Sequence, residues 1–177
     1  MASPKRRTET RSKPKTSSSK PEWPRLARRL LAANLKKARS LPKLRKLGPK
    51  HEWVTGVHLV GTAEMARLNE FYRGKKGPTD VLSFEAPEVF REQGLLGELV
   101  ICLPVMKKQA REIGHPAKEE LRVLLVHGLL HLLGQDHEGK GPKAHARGHE
   151  MAAFEAKLLS KAKPGLINRA GSSKPKA

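Results

Sequence analysis

Apolar residues recur at helical spacing from Trp23 onward. Trp23, Leu26, Leu30, Leu31 and Leu35 are separated by Arg and Lys, which predicts an amphipathic helix in a segment closed by Pro42 and the Gly48-Pro49 pair. Residues 52–60, Glu-Trp-Val-Thr-Gly-Val-His-Leu-Val, have the composition of a strand. A helix is expected from about Thr62, a residue suited to the N-cap with Glu64 in the first turn, to Tyr72, followed by a turn over Gly74 to Pro78. Thr79 to Phe84 predicts a second strand broken by Pro87, and Leu95 to Leu103, after a polar excursion, a third and largely buried one. Pro104 to Ile113 reads as a short helix, with Pro104 in its first turn and Gly114 at its end. Over residues 117–133, Leu121, Val123, Leu124, Leu125, Val126, Leu129, Leu130, Leu132 and Leu133 surround the helix axis, so this helix should be central and buried. Gly134 suits the left-handed residue that ends it. A last helix, roughly 143–160, carries Met151, Phe154, Leu158 and Leu159. There is no internal repeat. The layout is α+β: a small mixed β-sheet packed with helices around a central buried helix.

Charge divides the chain differently. Residues 1–50 hold 17 Lys and Arg against two acids, Glu9 and Glu22, whereas residues 51–160 hold 14 against 15. The segment 161–177 adds five basic residues and no acid. Residues 1–22, rich in Lys, Ser, Thr and Pro, are expected to be a disordered basic extension, 23–160 a single domain, and 161–177 a basic flexible tail. A near-neutral body with basic ends attracts polyanions by counterion release, nucleic acid above all, although solvated extensions would have the same composition. No stretch approaches the roughly 20 apolar residues of a spanning helix, and no apolar run follows Lys5, Arg6 and Arg7, so neither a membrane protein nor a secretory signal is expected. The single cysteine, Cys102, excludes a disulfide framework or a multi-cysteine zinc ribbon, and the expected compartment is the reducing cytoplasm.

The chemistry concentrates in residues 126–137, Val-His-Gly-Leu-Leu-His-Leu-Leu-Gly-Gln-Asp-His. His127 and His131 are four apart, so they share one helical face with Cβ atoms about 5–6 Å from each other. Both imidazoles can then converge on one ion at about 2.0–2.1 Å. The break at Gly134 lets His137 reach the same point from a loop. Three histidines leave one zinc position open to water, the arrangement of a catalytic centre. The alternative, a pair of satisfied core histidines, needs partners for two imidazoles among Leu and Val, and each unsatisfied group costs about 1–3 kcal/mol. Asp136 either orients a ligand or is an ordinary turn residue.

The same run, His127-Gly-Leu-Leu-His131-Leu-Leu-Gly134-Gln-Asp136-His137, closely resembles the signature of the bacterial YbeY family, single-domain metal-dependent endoribonucleases of ribosomal RNA maturation. Leu68-Asn69, Tyr72-Arg73, Pro78 to Phe84 and Leu96 to Ile101 agree in order and spacing, and the resemblance covers about residues 52–160. It implies zinc held by His127, His131 and His137, and ribosomal RNA with the small ribosomal subunit as partners. The chain departs from the family pattern at Gln135, where Tyr is common, and at Glu98, where Asp is common. Family members also open with a strand before the first helix; here the sheet either lacks it or residues 1–22 supply it.

Zinc can lower the pKa of bound water to about 7 and polarise a phosphoryl oxygen. The zinc-protease pattern places Glu immediately after its first His as general base, whereas Gly128 stands there. Arg73, at a helix end before a Gly-rich turn, suits phosphate contact or transition-state stabilisation and joins His127 as a catalytic candidate; the alternative is an exposed Arg meeting the helix dipole. Asp80 and Ser83 fit a turn better than a base and nucleophile, His145 and His149 read as surface, and Cys102 as a small buried strand residue. Lys75, Lys76 and the N-terminal basic residues are plausible phosphate contacts. A metal-dependent endoribonuclease is the expected function. The rivals are a zinc peptidase or other hydrolase, and a non-catalytic ribosome assembly factor with a structural metal.

Overall fold

Side-chain alternation along three strands sorts the whole molecule onto two faces of one sheet. In the computed structural model, which describes residues 23–135 and 142–160, the chain runs α1 (Trp23–Ser40), α2 (Pro42–Leu47), β1 (Val54–Val60), α3 (Thr62–Arg73), β2 (Val81–Glu85), α4 (Glu88–Glu92), β3 (Leu95–Cys102), α5 (Leu103–Ile113), α6 (Ala117–Leu132) and α7 (Pro142–Leu159). The expected basic extension and tail lie outside the described residues. The strand order is β1-β3-β2, with β1 parallel and β2 antiparallel to the central β3. The fold is therefore the expected α+β arrangement with a small mixed sheet. Residues 1–22, the alternative source of a strand before α1, lie outside the described residues.

Successive residues of a strand point to opposite faces. Val57, Leu59, Val81, Leu99 and Ile101 join the larger core with α1, α6 and α7. Leu82, Phe84, Val100, Cys102 and Val60 face the other way, onto Met65 and Leu68 of α3 and Val105 of α5. Helix α6 is the centre of the larger core: Leu121, Leu125, Val126, Leu129, Leu130 and Leu132 have no exposed surface. An apolar girdle of this kind is stable only with neighbours on every side, and α6 has the sheet on one and α1, α5 and α7 on the others.

Three local expectations are corrected. Pro42 does not simply end a segment; it occupies the first turn of α2, where its missing N–H has no helical partner to lose. Thr62 is not the N-cap of α3, a place taken by Gly61 without a side-chain cap, so Thr62 is already helical. The polar excursion after Pro87 contains the short helix α4. No described helix is long and apolar enough to cross a membrane.

Candidate active site

Helix α6 carries His127 and His131 on the face turned toward α7. The His127 ring is buried, and its Nδ1 lies 2.7 Å from Oε1 of Glu155, a residue of α7 that is only 2% exposed. A carboxylate oxygen accepts, so Nδ1 carries the proton, and in the neutral ring Nε2 is left with its lone pair. That Nε2 lies 3.1 Å from Nε2 of His131, with ring centroids 4.7 Å apart and planes at 75°. The two rings thus aim their outer nitrogens at one point from adjacent turns, as the four-residue spacing predicts.

The donor set fits a divalent metal. The 3.1 Å separation is one that two imidazole ligands of a tetrahedral zinc can adopt, given bonds of about 2.0–2.1 Å. Glu155 backs His127 as the carboxylates behind metal-bound histidines do, fixing tautomer and ring orientation. Its other oxygen, Oε2, is buried with no hydrogen-bond partner among the described residues. Among the described residues no group of three His, Cys, Asp or Glu side chains converges on one point. The third expected ligand, His137, and its neighbour Asp136 lie outside the described residues.

Gly128 explains why the base of the zinc-protease pattern is absent. A Cβ at this position would lie 2.7 Å from Cδ2 of Leu99 and 3.2 Å from Oγ of Ser83. Helix α6 therefore rides directly on β2 and β3 here, and the Ser83 hydroxyl points at the Gly128 carbonyl 3.4 Å away. A side chain at 128 would enter the sheet interface, away from the paired imidazole nitrogens. The end of α6 is held separately: Arg91 of α4 donates to the Leu132 carbonyl at 2.9 Å and pairs with Glu85 at 3.2 Å.

Arg73 comes from a different element, α3. It is the exposed last residue of α3, followed by Gly74 in the left-handed conformation (φ 63°) that lets the chain turn away. Its neighbour Tyr72 packs edge-on against Phe84, on the face of β2 opposite to Ser83. Because β2 is an edge strand, the two faces meet along its outer rim. Asp80 and Ser83 do not form a base–nucleophile pair: Asp80 accepts from Val81 N–H (2.8 Å), Thr79 (3.1 Å) and Gln109 (3.0 Å), the role of a turn residue. His145 and His149 are exposed on α7 and Cys102 is buried, as expected. Burial, more than the neighbouring Asp80 carboxylate, pushes the Cys102 thiol up despite a backbone hydrogen bond from Val105 acting the other way.

Sequence reasoning missed Glu155. The signal was present: Met151, Phe154, Leu158 and Leu159 form the buried stripe of α7, and Glu155 sits within it. An acid inside an apolar stripe needs a partner. The candidate histidines supply it.

An α+β protein with two imidazoles of one helix converging before a buried carboxylate has the groundwork of a metal-dependent hydrolase. Known proteins narrow the class. The family described as Endoribonuclease YbeY matches residues 10–163. Similar proteins include the Endoribonuclease YbeY of Aquifex aeolicus, 43% identical over 106 residues that cover 60% of this chain and 70% of that one. That of Persephonella marina is 51% identical over 85 residues, covering 46% and 55% respectively. Among solved structures, the solution structure of TM1509 from Thermotoga maritima is 26% identical, covering 78% of this chain and 92% of that chain with a TM-score of 0.45. The chain belongs to the YbeY family of endoribonucleases, hydrolases that cut phosphodiester bonds within RNA.

Proposed function

We propose that this chain is a single-strand-specific, metal-dependent endoribonuclease of ribosomal RNA maturation, acting at the 3′ end of 16S ribosomal RNA and in ribosome quality control, in the cytoplasm. The observation that carries the reading is the pair of Nε2 atoms 3.1 Å apart with Glu155 locked behind His127. His127 and His131, with His137 as the third ligand read from the sequence, would hold one zinc ion, with the fourth position left to water. When bound, such an ion supplies hydroxide near neutral pH and a Lewis acid beside the phosphoryl group.

The chain's own residues do the rest. Glu155 keeps the proton on Nδ1 of His127 and so keeps Nε2 available as a donor. Gly128 lets α6 press against the sheet, which holds the two rings in register and keeps a carboxylate out of that position. Arg73, always charged, binds a phosphate of the strand or the charge that develops on it. The basic ends contact RNA outside the cleavage point, with ribosomal RNA and the small subunit as partners.

The full-length protein incubated with single-stranded RNA and with casein tests this reading against its rivals. RNA is expected to be cut and casein left intact. His127→Ala should abolish cleavage, and Arg73→Ala should lower it about 100-fold. Casein hydrolysis would favour a peptidase, and RNA binding without turnover, indifferent to Arg73→Ala, an assembly factor with a structural metal. Metal analysis of protein purified without chelator or nickel resin should find one ion per chain. Deleting residues 1–22 should weaken RNA binding and flatten its dependence on salt; an unchanged slope would refute the role given to the extension.

A further inference from the structure

The chain has seven aromatic side chains, two Trp, one Tyr and four Phe, and three of them meet in one row that runs from the half-buried Phe84 to the exposed Tyr72 and Phe71. Phe71 packs against Tyr72 with ring centroids 4.8 Å apart and planes at 80°, and Tyr72 against Phe84 at 4.8 Å and 66°. Phe71 is 81% exposed and Tyr72 59%, whereas Trp53 and Phe154 are both 4% exposed in the core. Single exposed apolar residues need no explanation, but a contiguous pair of rings in a chain so poor in aromatics marks a contact surface.

The surroundings say what the contact is. Arg73, Lys75 and Lys76 follow the two rings directly and are exposed, with no acid among residues 71–76. Gly74 and Gly77 both have positive φ and open space where a Cβ would stand, so no side chain from either glycine walls off the rings. Flat π-faces beside cations suit unpaired bases, which stack on the rings while their phosphates meet Lys and Arg. A duplex hides its base faces, and an apolar protein surface has no use for three cations. Phe84 and Ser83 are consecutive on edge strand β2, and Ser83 faces Gly128, the residue after His127. The row of rings thus ends on one face of β2 at Phe84, and on the other face Ser83 meets the backbone of α6 at Gly128, next in sequence to His127.

We propose that Phe71 and Tyr72 form a stacking platform for unpaired bases of an RNA single strand, with Lys75 and Lys76 on its phosphates, leading the strand across the rim of β2 toward the histidine pair. The proposal deepens the endoribonuclease reading, on which it rests, by naming where the substrate is gripped.

The test is equilibrium binding of the full-length protein to a nuclease-resistant, fluorescently labelled 2′-O-methyl phosphorothioate strand, titrated at several salt concentrations. Phe71→Ala and Phe71→Leu should both weaken binding roughly 5- to 100-fold with the salt slope unchanged. Phe71→Trp and Tyr72→Phe, which keep a ring, should bind as the natural protein does. Lys75→Ala and Lys76→Ala should each reduce the slope by about one. An abasic strand of equal length should not distinguish Phe71→Ala from the natural protein. Binding by Phe71→Ala within about twofold of natural, or full binding by Phe71→Leu, would overturn the platform. So would unchanged RNA binding alongside lost association with ribosomal proteins, which would assign the surface to a protein partner. Cleavage assays separate the two readings: a natural protein that cuts RNA while Phe71→Ala binds normally loses only the platform, whereas ring-dependent binding without cleavage keeps the platform and removes the nuclease.

Discussion

The two faces of the three-stranded sheet make an instructive pair. On one face Leu99 and Ile101 have no exposed surface and support α6, which ends in two imidazoles backed by a carboxylate that is 2% exposed. On the other, Met65, Leu82, Val100 and Cys102 form a small cluster whose margin is Phe84, Tyr72 and the largely exposed Phe71. Ser83 and Phe84, adjacent on β2, belong one to each face. Low-dielectric surroundings strengthen the single hydrogen bond between Glu155 and His127, so the closed face suits chemistry that depends on one fixed geometry. The open face suits recognition, where several contacts each contribute a little.

Placing an acid in the closed face should give the largest effect. Gly128→Glu restores the zinc-protease pattern in the sequence but drives an unpaired carboxylate between α6 and β3, and should cost about 3–5 kcal/mol in a urea melt while creating no peptidase activity. A variant that folds normally and cuts casein would break the distinction between the faces. Glu155→Ala leaves the helices packed but frees the His127 ring, and metal affinity measured by chelator competition should fall about 10- to 100-fold; Glu155→Gln, which keeps an acceptor oxygen, should recover part of the loss. Undiminished affinity in the alanine variant would mean that the buried carboxylate does not orient the ligand. The smallest effect concerns Cys102, which is fully buried although it belongs to the face with the open margin. Its raised thiol should resist alkylation in the native protein at neutral pH and react on unfolding. Because the folded protein holds that proton more tightly than the unfolded chain, stability should decline as pH rises past the ordinary thiol range, about 8.5.

Periodicity disclosed the long elements because each buries a continuous stripe or alternates cleanly. The leucine-rich helix at 117–133, the strand at 95–103 and the helix ending at Tyr72 all emerged within a residue or two. What escaped has a common cause: α2 and α4 are too short to show a helical period, and Thr62 looked like a cap because a Gly–Thr boundary contains two residues suited to it. The pairing of His127 with His131 was legible from their spacing, since helix geometry alone brings i and i+4 together. Glu155 was not, because its partner is 28 residues away and only the packing of α7 on α6 brings them into contact. Gly128 was read for the base it lacks, while the reason for its smallness, the approach of Leu99, is a long-range fact of the fold.

The connectivity of the sheet also bears on how the chain is made. Among the described residues strand β1 pairs with β3 alone, and the segments between them contribute α3, β2 and α4 before that partner is synthesised. Among the described residues β1 has α1 to pack on but no strand partner made before β3, so Val54 to Val60 wait for their ladder until Cys102 has been added. At translation rates of about 5–20 residues per second, that interval lasts roughly two to eight seconds. During it the segment is an unladdered β-edge, and its exposure to pairing with any extended chain nearby follows from topology rather than from its composition.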